Sequence, residues 1–164
     1  MAYSKILVTG GAGFIGSHLV DKLLDEDFQV TVLDNLSTGT LENLSSHNGD
    51  EDFRFVKGDI CNSEVVRRIV EDVDAVFHEA AIASVTRSLE DPILTDHVNV
   101  DGTLNLLSAS LNSHVKRFVY ASSCAVYGDT GKLPHNEELL PSPLSPYAAS
   151  KVSAESYCRA FYKA

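Results

Sequence analysis

Two hydrophobic rhythms alternate along this chain. Lys5–Gly10 (KILVTG) is a compact apolar run ended by glycine, and it predicts a strand. Phe14, Ile15, Leu19, Val20, Leu23 and Leu24 then recur at helical spacing. Gln29–Asp34 predicts a second strand, and Phe53–Asp59 a third after a polar loop rich in Ser, Asn, Gly and Asp. Ser63–Asp72 predicts a short helix and Asp74–Ala80 a fourth strand. A long helical pattern starts at Pro92 and runs through Leu94, Val98, Leu104, Leu107 and Leu111. Lys116–Ser123 predicts a fifth strand, followed by a loop with Pro134, Pro141, Pro143 and Pro146 and a last helix holding Tyr147 and Lys151. Strands alternating with helices at this spacing predict βαβ units: an α/β fold with a doubly wound parallel sheet. Such a sheet binds ligands beyond the carboxyl ends of its strands, so the residues just after each strand carry the information.

Composition narrows the function classes. The 164 residues suit one domain, 1–164, with a sizeable core. A net charge of −10 argues against nucleic acid and anionic membranes as partners. Cys61, Cys124 and Cys158 are an odd, scattered set without a C-x-x-C motif, which points to reduced thiols in a cytoplasmic protein. No metal site is expected. No apolar run approaches the ~20 residues of a membrane span, and the N-terminus runs into the first strand without signal-peptide anatomy.

The turn after the first strand is TGGAGFIG, with Gly10, Gly13 and Gly16 in G-x-x-G-x-x-G spacing. Alone, this spacing also suits a tight turn with no ligand. Lying between a strand and a helix, it matches the glycine roles of a dinucleotide site, with the pyrophosphate at the helix N-terminus. Asp34 ends the second strand, where an acid accepts from the ribose hydroxyls of NAD and repels a 2′-phosphate. No Arg or Lys lies between Asp34 and Asp52 to offset that repulsion, so NAD is expected over NADP. Asp59 closes the third strand, as a contact to adenine or a plain turn residue. Ala80 and Ala81 after the fourth are small enough for a cofactor to lie against the backbone.

Tyr147 and Lys151 stand four residues apart, on one helical face. By itself that spacing is common. Together, TGGAGFIGS, LDNLSTG, KGDI, HEAA, NVDGTLNLL, SSCAVYG and SPYAASK cover nearly the whole chain in order. With these motifs the chain resembles the extended short-chain dehydrogenase/reductase family, and within it the UDP-glucose 4-epimerase-like nucleotide-sugar epimerases.

The resemblance implies a Rossmann-type NAD-binding domain and a role for each matching residue. Backbone groups of Phe14 and Ile15 would meet the pyrophosphate. Asp34, Asn35, Ser37, Thr38 and Gly39 would surround the adenosine ribose, and Asp59 and Ile60 would border the adenine. Ala80, Ala81 and Ala83 would line the cofactor, with Asn99 shaping the same region. Ser123, Tyr147 and Lys151 would be the catalytic set. An ordinary tyrosine, with a pKa of about 10, is too weak a base at neutral pH. A nearby Lys⁺ and the positive nicotinamide ring both favour phenolate. Tyr147 would then take the proton of a sugar hydroxyl as hydride leaves the same carbon, Lys151 would also bond the nicotinamide ribose, and Ser123 would bond the reacting oxygen.

Family members that eliminate water resemble a Thr-Asp-Glu pattern where this chain has Ser123, Cys124 and Ala125. Decarboxylases commonly carry Glu in this stretch. Epimerisation at C4 of a UDP-sugar, needing no extra acid, is the best fit, and Cys124 is expected to be a small buried residue. A nucleotide-sugar dehydrogenase or reductase and a non-catalytic NAD-binding module stay open. The family is about twice as long. The chain therefore reads as an N-terminal portion, without the last strands and the substrate domain, and with little activity of its own. The fifth strand is expected at an open sheet edge, and a homodimer is expected through the last helix.

Overall fold

A computed structural model describes residues 4–131 and 133–163. Residues 1–3 of the N-terminus read above lie outside the described residues. Five strands form one parallel sheet: β1 (Lys5–Thr9), β2 (Gln29–Asp34), β3 (Phe53–Lys57), β4 (Ala75–His78) and β5 (Arg117–Tyr120), in the order β3-β2-β1-β4-β5. Val8 of β1 pairs with Val32 on one side and Phe77 on the other, and Phe77 with Val119. The chain folds as two compact units, one from Met1–Ala80 with Asn105–Ala121, the other from Ala81–Leu104 with Ser122–Ala164.

The first unit holds the sheet. Its central strand is apolar on both faces, as a covered parallel strand must be, and Ile6, Leu7 and Val8 are at most 2% exposed. Helix α1 (Phe14–Asp25) buries Val20 and Leu23 in a core with Val30, Val32 and Ala75. The loop after β2 is not wholly irregular. Leu41–His47 forms a 3₁₀ turn, capped by Thr40 Oγ1 accepting from Glu42 N–H, and its Leu44 drops into the same core. His47 Nε2 lies 2.6 Å from Asp21 on α1 and ties the turn down. Helix α2 (Ser63–Val70) starts at Asn62, whose side chain accepts from the Glu64 and Val65 N–H groups, and it buries Val66 and Val70. At the two edges, β3 exposes Arg54 and Lys57, while β5 exposes Arg117 and Val119.

The second unit is largely helical. The long helical pattern expected from Pro92 is present as one continuous run, 92–112, with a π-helical turn inside it. Helix α3 (Val85–Glu90) precedes it, capped by Ser84. Asp91 caps α4 (Pro92–Asp96), whose first-turn proline needs no N–H partner. A π-helical turn, His97–Asp101, leads into α5 (Gly102–Asn112). The last helix, α6 (Pro146–Lys163), packs against α3, α4 and the π turn.

Asp74 fastens the N-terminal end of the sheet. Its carboxylate accepts from Lys116 Nζ at 2.5 Å, and from the backbone N–H groups of Ser4 at 2.9 Å and Lys5 at 3.1 Å. The Lys116 ammonium, and after it these two N–H groups, hold the Asp74 carboxyl far below the usual carboxylate range. Unfolded, Asp74 titrates at about pH 4. Because the folded value is lower, the stabilisation is complete above that pH and is lost as pH falls below it. Asp74→Asn is expected to lower the urea unfolding midpoint at neutral pH, with the gap to wild type closing as pH drops from about 4 towards 2. A gap that stays constant over that interval would show that the charge of Asp74 is not what stabilises.

Candidate functional site

In the first unit the glycine turn joins β1 to α1. Gly10 has φ +71°, a left-handed conformation, and a Cβ there would lie 2.6 Å from the Ala80 nitrogen. A Cβ on Gly16 would lie 2.3 Å from the Gly10 carbonyl oxygen, so only glycine lets the helix sit this close to the turn. Gly13 is the N-cap of α1 and brings no capping side chain. The helix therefore opens with its positive end uncovered, flanked by the exposed Phe14 and Ile15.

Asp34 is buried and already employed. One carboxylate oxygen accepts from the Ala12 N–H at 3.0 Å, the other from the Leu36 N–H at 2.8 Å. The first bond pins the glycine turn. The second supports Leu36 at φ 60°, uncommon for a branched side chain. Sequence reading found Asp34 but not this second duty. The carbonyl of Ala12 also accepts from Thr40 N–H and Asn43 Nδ2, so the loop carrying Ser37, Thr38 and Gly39 is tied to the turn. Asn35 Nδ2 donates to Asp59 at 2.9 Å, which links the ends of β2 and β3. Asp59 also accepts from the Cys61 N–H, and the carbonyl of the buried Ile60 accepts from Asn105 Nδ2. Beside Ala80, Thr9 Oγ1 lies 2.7 Å from Nδ1 of the buried His78.

The second unit carries Ala81, Ala83, Asn99, Ser123, Tyr147 and Lys151. Ala81 is half-buried and Ala83 exposed. Ser123 caps a 3₁₀ turn, Cys124–Tyr127, with Oγ accepting from the Ala125 N–H at 3.2 Å. Tyr147 is half-buried on α6. Lys151, one turn on, is 3% exposed, with Nζ 5.9 Å from the Tyr147 ring centroid. Cys124 is exposed, which corrects the expectation of a buried residue: as the first residue of the 3₁₀ turn it is presented outward while Val126 takes the buried position.

Asn99 is 1% exposed and its amide is fully used. Oδ1 accepts from the Ile82 N–H, and Nδ2 donates to the Ile82 carbonyl and to Ser150 Oγ at 3.0 Å. Ser150 Oγ in turn donates to the Tyr147 carbonyl at 2.7 Å. Asn99 thus holds the segment between Ala81 and Ala83 against the helix bearing Tyr147 and Lys151. Ser150 went unnoticed in the sequence; its place between Tyr147 and Lys151 was the available signal.

Residues 6–164 match the description of the NAD dependent epimerase/dehydratase family. The chain belongs to that family. It is 41% identical to the UDP-N-acetylglucosamine 4-epimerase of Methanobrevibacter ruminantium, solved with UDP-N-acetylmuramic acid; the match covers 100% of this chain and 52% of that one, with a TM-score of 0.93. The Thermus thermophilus UDP-glucose 4-epimerase, solved with NAD, is 42% identical with a TM-score of 0.89, over 97% of this chain and 51% of that one. The dTDP-glucose 4,6-dehydratase of an Actinoplanes strain is also 42% identical, over 97% of this chain and 52% of its own length. The chain thus spans about half the length of the relatives it matches.

The contact between Gly16 and the Gly10 carbonyl makes a direct prediction for this family member. Gly16→Ala is expected to cost about 1–3 kcal/mol, the usual price of overpacking, and to weaken nucleotide binding with it. Chemical unfolding together with cofactor titration measures both. Wild-type stability in the variant would mean that the turn is looser than its geometry.

Proposed function

We propose that this chain is the NAD-binding part of a nucleotide-sugar 4-epimerase that interconverts UDP-glucose with UDP-galactose, or UDP-N-acetylhexosamines. The observation that carries the reading is the Tyr147–Lys151 pair on α6, in a chain of the NAD dependent epimerase/dehydratase family. The 4-epimerases among its relatives support the substrate class.

The residues present suit the cofactor. The uncapped start of α1 offers the N–H groups of Phe14 and Ile15 to a pyrophosphate. A carboxylate has about four acceptor sites, so Asp34 can hold Ala12 and Leu36 and still accept from ribose hydroxyls. Asn35, Ser37, Thr38 and Gly39 complete the ribose side, and Asp59 and Ile60 the adenine side. Ala80, Ala81 and Ala83 line the cofactor, with Asn99 fixing the Ile82 backbone between the last two.

When bound, NAD would supply a reversible hydride acceptor at C4 of the sugar, which is the chemistry that 4-epimerisation through a 4-keto sugar needs. Tyr147 takes the proton of the C4 hydroxyl and later gives it back. Lys151 bonds the nicotinamide ribose and keeps its ammonium beside the Tyr147 ring. Ser123 Oγ accepts from the Ala125 N–H, which leaves its own proton for the reacting oxygen of the sugar.

The match to a 4,6-dehydratase raises elimination of water as a second reading. Cys124 and Ala125 follow Ser123 where that chemistry would want acids. Epimerisation needs none. We read the protein as a homodimer that uses exposed apolar residues of its helices, such as Leu89, Ile93 and Tyr162. Its scattered cysteines, without a C-x-x-C motif, suit the cytoplasm, and no helix among the described residues is long and apolar enough to cross a membrane.

Two measurements test the reading. Wild-type chain is expected to bind NAD more tightly than NADP, and Asp34→Asn to narrow that preference by removing the charge while keeping the shape. Equal wild-type affinities in a cofactor titration would end the assignment of Asp34. In a turnover-competent chain carrying these residues, Tyr147→Phe is expected to leave NAD affinity intact and lower kcat by roughly 10²-fold or more, the scale of lost acid–base catalysis. Near-normal turnover of UDP-glucose and UDP-N-acetylglucosamine by that variant would remove Tyr147 from the mechanism.

A further inference from the structure

The residue four beyond Lys151 on α6 is Glu155, so Tyr147, Lys151 and Glu155 follow one another at successive turns. Glu155 Oε1 accepts a hydrogen bond from Ser122 Oγ at 2.5 Å. A hydroxyl-to-carboxylate bond is charge-assisted and about twice as strong as one between neutral groups. The other carboxylate oxygen faces Arg159 at 3.6 Å, an ion pair whose arginine side chain is 78% exposed and which contributes little.

The place of Ser122 in the chain gives this bond its weight. The strand direction of β5 is last supported where the Ala121 N–H donates to the His78 carbonyl. Ser122 is the next residue, and Ser123 follows it. Beyond them the 3₁₀ turn Cys124–Tyr127 packs on α6, and the Val126 carbonyl accepts from the Ser142 N–H. The segment bearing Ser123 is therefore anchored downstream by that turn and upstream by the Ser122–Glu155 bond.

The geometry points to Glu155 as a positioning residue: by holding the Ser122 hydroxyl it fixes where Ser123, one residue later, presents its Oγ relative to the helix of Tyr147 and Lys151. The inference rests on the proposed roles of Ser123 and Tyr147. Its physical content is independent of them. Glu155 touches neither substrate nor cofactor in this scheme and acts only through the serine segment. A catalytic group misplaced by about 1 Å can lose roughly 10²-fold in rate, so one bond at this point matters more than its surface position suggests.

The test uses this chain without cofactor or sugar. Amide hydrogen exchange of Ala125, whose N–H is held by Ser123 Oγ, reports the serine segment; that of Ala148, held by Ser145 Oγ at 3.1 Å, reports the start of α6 as a control. Glu155→Ala and Ser122→Ala are each expected to speed Ala125 exchange by roughly five- to tenfold, the loss of one such bond. The double variant should go no further than either single one. Glu155→Gln, whose amide oxygen can still accept from Ser122, should restore most of the protection, and Arg159→Ala should change nothing. Ala148 exchange should stay at its wild-type value. Unchanged Ala125 exchange in both single variants would overturn the proposal. So would multiplicative effects in the double variant, equal acceleration at Ala148, or a Glu155→Gln variant as fast as Glu155→Ala. None of these outcomes depends on epimerase activity, so failure here is distinct from failure of the proposed reaction.

Discussion

A buried carboxylate at the end of β2 organises the first unit. Asp34 is 8% exposed, and a charge in that position costs several kcal/mol unless it is hydrogen-bonded. The Ala12 and Leu36 N–H groups meet that demand, and in doing so they set the glycine turn and the start of the following loop. The Ala12 carbonyl then gathers the Thr40 N–H and the Asn43 amide. Two loops that leave neighbouring parallel strands thus share one backbone unit. The sheet supplies the platform, but the carboxylate decides how its carboxyl edge is shaped.

The second unit solves the same problem with a neutral group. Asn99 sits in the π turn, where one extra residue in the helix offsets its side chain from the regular α-helical rows. Its carbonyl accepts from Thr103 Oγ1 at 2.6 Å, and its amide satisfies Ile82 and Ser150. A buried polar network with every member partnered is rigid. Rigidity is thereby passed to the helix that carries Tyr147 and Lys151.

The strands were legible because each is a short apolar run, four of the five closed by glycine, Asp or Ser, and the alternation with helices specified a parallel sheet. The π turn was not read, because the apolar spacing of Leu94, Val98, Leu104 and Leu107 does not single it out. The 3₁₀ turn at Leu41–His47 hid because only Leu41 and Leu44 are apolar in a stretch of loop-forming residues. Among candidate site residues, chemical type and spacing were readable and partners were not. Nothing in the one-dimensional pattern says that Asp34 would serve Ala12, that Ser150 would join Asn99 to Tyr147, or that Cys124 would face outward. Those facts depend on which segments the fold brings side by side.

The two margins of the sheet are chemically unlike. Along β3, Arg54 and Lys57 stand exposed, and a second strand would have to strip water from both before it could add there. Along β5, Val119 is 37% exposed, and Arg117 at the strand's start is the only charge. The side chains on the two edge strands therefore differ in kind: hydration of Arg54 and Lys57 opposes strand addition along β3, whereas β5 sets only Arg117 against it.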